Sequence, residues 1–210
     1  MKSNPNSSVL IHDCLVAFSL AYTRFITLEH EKRLLLHAAI ESEIVGGFDV
    51  LVTESAISIA ARARFLDDRV GGQLLAKNEE DLEIAALRQS GKDTEWLSLR
   101  DASNKIIHSK SAEVKTVNLK SLHGKQLLKR IGHFVKYRQS FTDSIAQKFD
   151  ADAIADSVEE WKEPTTIIID MSGEWRGKQW NCALDLLMYL DVLVHRLREN
   201  EKDGAVSTSK

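Results

Sequence analysis

Apolar residues recur at helical spacing from Val9 to about Ser42, at Leu15, Phe18, Tyr22, Phe25, Leu28, Leu35 and Ala39, which predicts one long helix with a bend near Thr27. The Gly46-Gly47 pair loosens the next segment. Phe48, Leu51, Val52, Ile57, Ala60, Ala61 and Phe65 nevertheless continue a second helix that should stop before Gly71-Gly72. Two long helices with a short connection must pack antiparallel. Asn78 predicts the cap of a helix through Ile84 and Leu87, stopped by Ser90-Gly91. Asp93 or Thr94 then opens a helix bearing Trp96, Leu97, Ala102, Ile106 and Ile107.

From Val114 the texture changes. Val117 and Leu119 alternate with Thr116 and Asn118, and the run from Thr165 to Met171 is rich in β-branched residues, so about 114–120 and 165–171 are expected to pair as a small antiparallel ribbon. The stretch about 124–160 between them reads as a helical insertion. From Gln179 to Arg198, Trp180, Leu184, Leu187, Val194 and Leu197 mark an apolar stripe that Leu186, Tyr189 and Leu193 widen. So broad a stripe predicts a central helix or one used in dimer contact. The expected architecture is mainly α: an antiparallel helical bundle with a small two-stranded antiparallel β ribbon. It forms a single domain over 9–199, with flexible tails at 1–8 and 200–210.

Composition narrows the classes without naming one. The 210 residues are 43% hydrophobic and 28% charged, with two prolines and ten glycines, which suits a folded helical domain and leaves little punctuation for a many-stranded β fold. A net charge of -3 gives no general attraction to polyanions, so nucleic-acid binding would need a local basic surface. Cys14 and Cys182 form no CxxC pair and suit a reducing compartment. His12 and Asp13 interrupt the apolar start, which argues against a leader, and the apolar run Ala183 to Val194 contains Asp185 and Asp191, which argues against a membrane span there. The expected location is cytoplasmic, without membrane partners.

The chemistry concentrates in Leu97 to Ser111, where Arg100, Asn104 and His108 fall four residues apart on one helical face. Each step turns about 40° and climbs about 6 Å, so Arg100 and His108 of one chain should not touch. Two readings stay open. In one, Arg100 stacks on Trp96, Asp101 pairs with Lys105, and Asn104 and His108 make ordinary polar contacts. In the other, His108 is a general acid or base, Asn104 orients it or the substrate, and Arg100 of a second subunit stabilises a developing phosphorane charge.

The run Asn104-Lys105-Ile106-Ile107-His108, preceded by Arg100, resembles the motif of the HEPN domains (higher eukaryotes and prokaryotes nucleotide-binding). The family's histidine maps onto His108 and its polar residue onto Asn104, while Arg100 stands further from the histidine than the family's arginine does. The resemblance implies a helical bundle acting as a homodimer. It also implies metal-independent RNA cleavage by attack of a ribose 2'-hydroxyl on the adjacent phosphate, leaving a cyclic phosphate. Such proteins serve prokaryotic defence and toxin-antitoxin systems, where a cognate antitoxin or regulatory protein is a further expected partner. The competing expectation is a catalytically inactive dimerisation or protein-interaction module.

Lys105 and Lys110, beside the motif, are expected to contact RNA. So are Lys129 and Arg130, within a basic helix (Lys125 to Arg138) that could track a phosphate backbone or simply be solvated. His37 and Glu41 could share a metal, but no Glu-x-x-His repeat accompanies them, so neither metal nor cofactor is expected. Arg62, Arg64 and Arg69 suit the C-terminal dipole of the second helix. No Walker loop, GxGxxG or GxSxG is present, which disfavours nucleotide hydrolysis, dinucleotide redox and α/β-hydrolase chemistry.

Overall fold

The computed structural model describes residues 5–30, 38–76, 84–89, 92–118 and 165–207. The chain divides into two compact units, Met1–Lys115 with Ile167–Lys210, and Thr116–Thr166. Of the second unit only the strand ends 116–118 and 165–166 are described, so the expected helical insertion at 124–160 lies outside the described residues.

The first unit opens with α1 (Pro5–His30) and α2 (Ala38–Arg69). Pro5 stands at the first helical position, where its missing N–H costs nothing. Helix α1 packs on α2, and an ion pair joins Asp13, in the first half of α1, to Arg62, near the end of α2, which requires the two to run back along each other. Alanines make the approach close: Ala17 and Ala21 of α1, with Ala56, Ala60 and Ala63 of α2, are buried. Helix α2 continues through Gly46-Gly47 and ends where the second glycine pair predicts. Gly72 N donates to Asp67 O at 2.7 Å and Gly71 N to Asp68 O at 3.4 Å, a Schellman closure that needs the positive φ of both glycines.

A five-stranded sheet overturns the expectation of a mainly α bundle with a two-stranded ribbon. Strands β1 (Ala85–Gln89), β2 (Glu95–Leu97), β3 (Ser111–Asn118), β4 (Thr165–Trp175) and β5 (Lys178–Asp185) form one antiparallel sheet in the order β2-β1-β5-β4-β3. With α1, α2, α3 (Leu99–Ile107) and α4 (Leu186–Ser207), the described fold is α+β. The two expected ribbon strands are neighbours at one side of that sheet, two of five and not a separate ribbon.

Three segments read as helical are strands. At 85–89 the buried residues alternate, Ala85 and Leu87 inward and Arg88 outward, and Glu95–Leu97 pairs with them. The start of the supposed helix 179–198 is β5, with Trp180, Cys182 and Leu184 buried on one face. Register places Leu184 between Ala85 and Ile169, and Cys182 between Leu87 and Met171, so the apolar face is continuous across the three central strands. These segments are short and apolar at both two- and four-residue spacing; cross-strand partners far along the chain decided between the two periods.

Strands β4 and β5 are joined by Arg176-Gly177, both at positive φ, the two-residue turn whose twist matches a hairpin. Asp185 then caps α4, accepting Met188 N at 3.1 Å. Helix α4 is a core helix: Leu186, Tyr189, Leu190, Val192, Leu193 and Leu197 are buried. Its broad stripe is therefore spent inside one chain, which removes it as the dimer contact. It continues to Ser207, into the stretch expected as a tail.

The residues Glu43–Arg69 of α2 are long and apolar enough to cross a bilayer by length and composition alone. Within the fold that helix packs against α1 and α3.

Candidate functional site

Helix α3 carries the Arg100, Asn104, His108 ladder and is locally well specified. Ser98 caps it, accepting Asp101 N at 3.3 Å, and donates its own hydroxyl to the Asp101 carboxylate at 2.8 Å. Leu99, Ala102, Ser103 and Ile106 form its buried side. Ser103 donates to Leu99 O at 2.8 Å and shares a 2.9 Å hydroxyl contact with Tyr189 of α4, so the inner face is pinned by a buried polar pair as well as by packing.

Arg100 does not face an open cleft. Its Nη1 donates to Asp67 Oδ2 at 2.6 Å and its Nη2 approaches Asp68 Oδ1 at 3.5 Å, both carboxylates lying in the last turn of α2. Asp67 is completely buried, and each of its oxygens is occupied. Oδ1 accepts Leu75 N at 2.9 Å, and Oδ2 takes Arg64 Nη1 at 2.9 Å in addition to Arg100. Arg64 also reaches Asp68 at 3.4 Å. Two guanidinium groups thus face two carboxylates around the glycine turn, and a Cβ on Gly72 would come within 3.0 Å of Arg100 Nη1. The charge of Arg100 is balanced inside its own chain, which leaves it as a strut between α2 and α3.

The expected stacking of Arg100 on Trp96 and the Asp101–Lys105 pair are likewise replaced. Arg100 turns to α2, Asp101 to Ser98, and the Lys105 ammonium lies 4.6 Å from the Trp180 ring centroid. Lys110, the other expected RNA contact near the motif, bonds Glu174 at 2.8 Å and holds that carboxyl below its ordinary range. Lys129, Arg130 and the rest of the basic stretch lie outside the described residues, as do the side chains of His37 and Glu41.

At the opposite end of the helix the ladder opens. His108 is the C-cap residue, its backbone N–H donating to Asn104 O at 3.1 Å, and its ring is exposed. Asn104 is half-buried one turn back. Neither side chain makes a hydrogen bond or ion pair among the described residues. The structure therefore leaves Asn104 and His108 one turn apart at the end of α3, linked through the backbone, and assigns Arg100 and Lys105 to holding α3 against α2 and the sheet.

The two thiols offer no nucleophile here. Burial pushes Cys14 and Cys182 up to about 12, so both are protonated at neutral pH. Among the described residues no group of three His, Cys, Asp or Glu side chains is arranged to hold a metal.

Asp67 is the residue that sequence reasoning missed, although a signal was present. Carboxylates in the last turn of a helix oppose the helix dipole, so Asp67-Asp68 before Val70-Gly71-Gly72 implies cations supplied nearby. Comparison with known proteins adds no family to this geometry: no protein family, curated protein or solved structure matches the chain.

Proposed function

We propose that this chain is an RNA-directed protein, cytoplasmic and of prokaryotic defence or toxin-antitoxin type, with His108 as its proton-transfer group; its HEPN likeness is confined to Arg100 and the run Asn104 to His108, since the five-stranded sheet is not the helical bundle that the resemblance implies. The observation that carries the reading is the exposed His108 ring, without a partner among the described residues, one helical turn from the amide of Asn104. An imidazole open to solvent can take the proton of a ribose 2'-hydroxyl and return one to the leaving 5'-oxygen, and the Asn104 amide can donate to a non-bridging phosphate oxygen. Arg100 enters as the strut that orients α3 and not as the group that meets the phosphorane.

A second reading, a catalytically inactive interaction module, is favoured by that same Arg100–Asp67 pair, because it cancels the cation that phosphoryl chemistry would use. The two are separated by incubating the purified chain, with EDTA present, on a pool of structured RNAs beside His108→Ala and Asn104→Ala. Cyclic-phosphate ends that vanish in His108→Ala support the first reading. Cleavage that survives in His108→Ala rejects it, and intact RNA throughout at high protein concentration moves the assignment to the interaction module.

A further inference from the structure

The β4–β5 hairpin runs on past the core. Met171–Cys182 and Gly173–Trp180 pair on the buried face, and the next pair on that face, Trp175–Lys178, stands clear of it with the indole 62% exposed. The two tryptophans differ in what explains them. A Cβ at Gly173 would collide with the Trp180 ring, so that indole lies across bare backbone, and the Lys105 ammonium of α3 covers it at 4.6 Å from the centroid. Trp175 also carries a cation, the Arg176 guanidinium at 5.6 Å, but no core lies beneath it. Arg176 is itself costly where it stands. Its φ is 50°, a left-handed position that asparagine, aspartate or glycine fills more cheaply, and neither Arg176 nor Lys178 makes an ion pair among the described residues.

The tip stands beside the open end of α3. Lys110 N donates to Ser172 O at 2.8 Å and Lys110 Nζ to Glu174 at 2.8 Å, and His108 precedes Lys110 by two residues. Three residues of strand, about 10 Å, separate Ser172 from Trp175. Across the loop 108–111 and the tip 174–179, the cations Lys110, Arg176 and Lys178 meet a single carboxylate, Glu174, in a chain whose net charge is -3.

We propose that the hairpin tip holds a single strand of RNA for the His108 site: one base stacks on Trp175, Arg176 and Lys178 take the phosphates beside it, and the strand continues toward His108. The inference rests on the RNA reading and adds the substrate class, unpaired RNA. Stacking needs only a free π-face, which every base has and a duplex hides, so the tip selects for strandedness and not for sequence. A membrane surface suits it less. Glu174 adjoins the indole, and among the described residues no other large apolar side chain is exposed at the tip.

The test is fluorescence anisotropy of a short, unstructured, end-labelled RNA on the full chain carrying His108→Ala, so that binding is read without turnover, with circular dichroism to confirm each fold. Adding Trp175→Ala should weaken binding about 10-fold at an unchanged salt slope, and Lys178→Gln should lower that slope by about one. Arg176→Asn gives an independent readout of opposite signs: asparagine suits the turn, so the denaturant midpoint should rise while RNA affinity falls. The same RNA annealed to its complement should bind no better to the parent than to Trp175→Ala. No binding of the single strand, or equal affinity in folded Trp175→Ala or Arg176→Asn, overturns the proposal even where RNA is cleaved through His108. Trp175-dependent binding by a chain that cleaves no RNA upholds it and rejects the proton-transfer reading alone. Phosphatidylserine vesicles that capture the parent but not Trp175→Ala, with no RNA bound, would overturn it and assign the tip to lipid.

Discussion

At its first turn α3 lays Arg100 against two carboxylates of α2, whereas at its last residue the His108 ring stands open to solvent. Both residues belong to one ladder of three residues spaced four apart along α3, yet one is structural and the other is available. The difference comes from what α3 meets along its length. Its N-terminal end abuts the Schellman turn of α2, where Asp67 and Asp68 take Arg100 as a second cation beside Arg64, and its C-terminal end carries His108 out to the surface. Shared spacing puts residues on a common face, but the neighbouring element decides whether that face is a site.

Substitutions along this axis should grade from severe to silent. The largest effect is expected from Asp67→Ala, which leaves two guanidinium groups and the Leu75 N–H facing an emptied site. With the arginines partly hydrated, the loss should be about 3 kcal/mol, read as a lowered denaturant midpoint at unchanged slope. If Asp67→Ala unfolds at the wild-type midpoint, Arg100 is not a strut and the contrast between the two ends collapses.

Next comes Gly72→Ala, which forces an L side chain to φ +80° and brings its Cβ within 3.0 Å of the Arg100 guanidinium; about 1–2 kcal/mol should be lost. Partial recovery in Gly72→Ala/Arg100→Ala, measured as a coupling in the double-mutant cycle, would show that crowding against Arg100 contributes. Against the middle of α3, Tyr189→Phe on α4 removes one partner of the buried hydroxyl pair. Because Ser103 keeps its bond to Leu99 O, the cost should be about 1 kcal/mol by the same unfolding measurement. At the open end, His108→Ala should change stability by less than about 0.5 kcal/mol. A larger loss there would mean that the ring has a structural role, and it would remove the distinction on which the proposed proton transfer depends.

How legible this molecule was depended on how far each element's partners lie along the chain. The existence of α1 and α2 is visible because their own periodicity runs for many turns, although their division is not: the first helix, expected from Val9 to about Ser42, is α1 over Pro5–His30, and residues 38–42 already belong to α2. The Gly71-Gly72 stop is visible because only glycine accepts both positive φ values cheaply. The sheet was not. Leu87 and Ala85 satisfy either a helical or a strand reading until Cys182 and Leu184 are known to lie beside them. The hairpin turn at Arg176-Gly177 lacks the Asn-Gly signature that marks such turns, so β5 merged into the helix that succeeds it. At the site, the ladder's shared face was legible from spacing alone. Its division was not, because it depends on Asp67, a residue 33 positions before Arg100 whose role is set by tertiary contact.

The strand order has a consequence for how the chain comes into being. The middle strand of the sheet, β5, pairs on one side with β1, whose residue Leu87 precedes its partner Cys182 by about 95 positions. During synthesis β1 and β2 therefore emerge as a small hairpin with one long edge unpaired, and that edge stays open until Lys178–Asp185 has left the ribosome. Only then can the apolar side of the sheet close, and α4, directly attached to β5, arrives in the same event to fill the space beneath α1 and α3. The late step that completes the sheet thus also completes the core, and a nascent chain stalled before it would present adhesive strand edges and an uncovered helical hairpin to its surroundings.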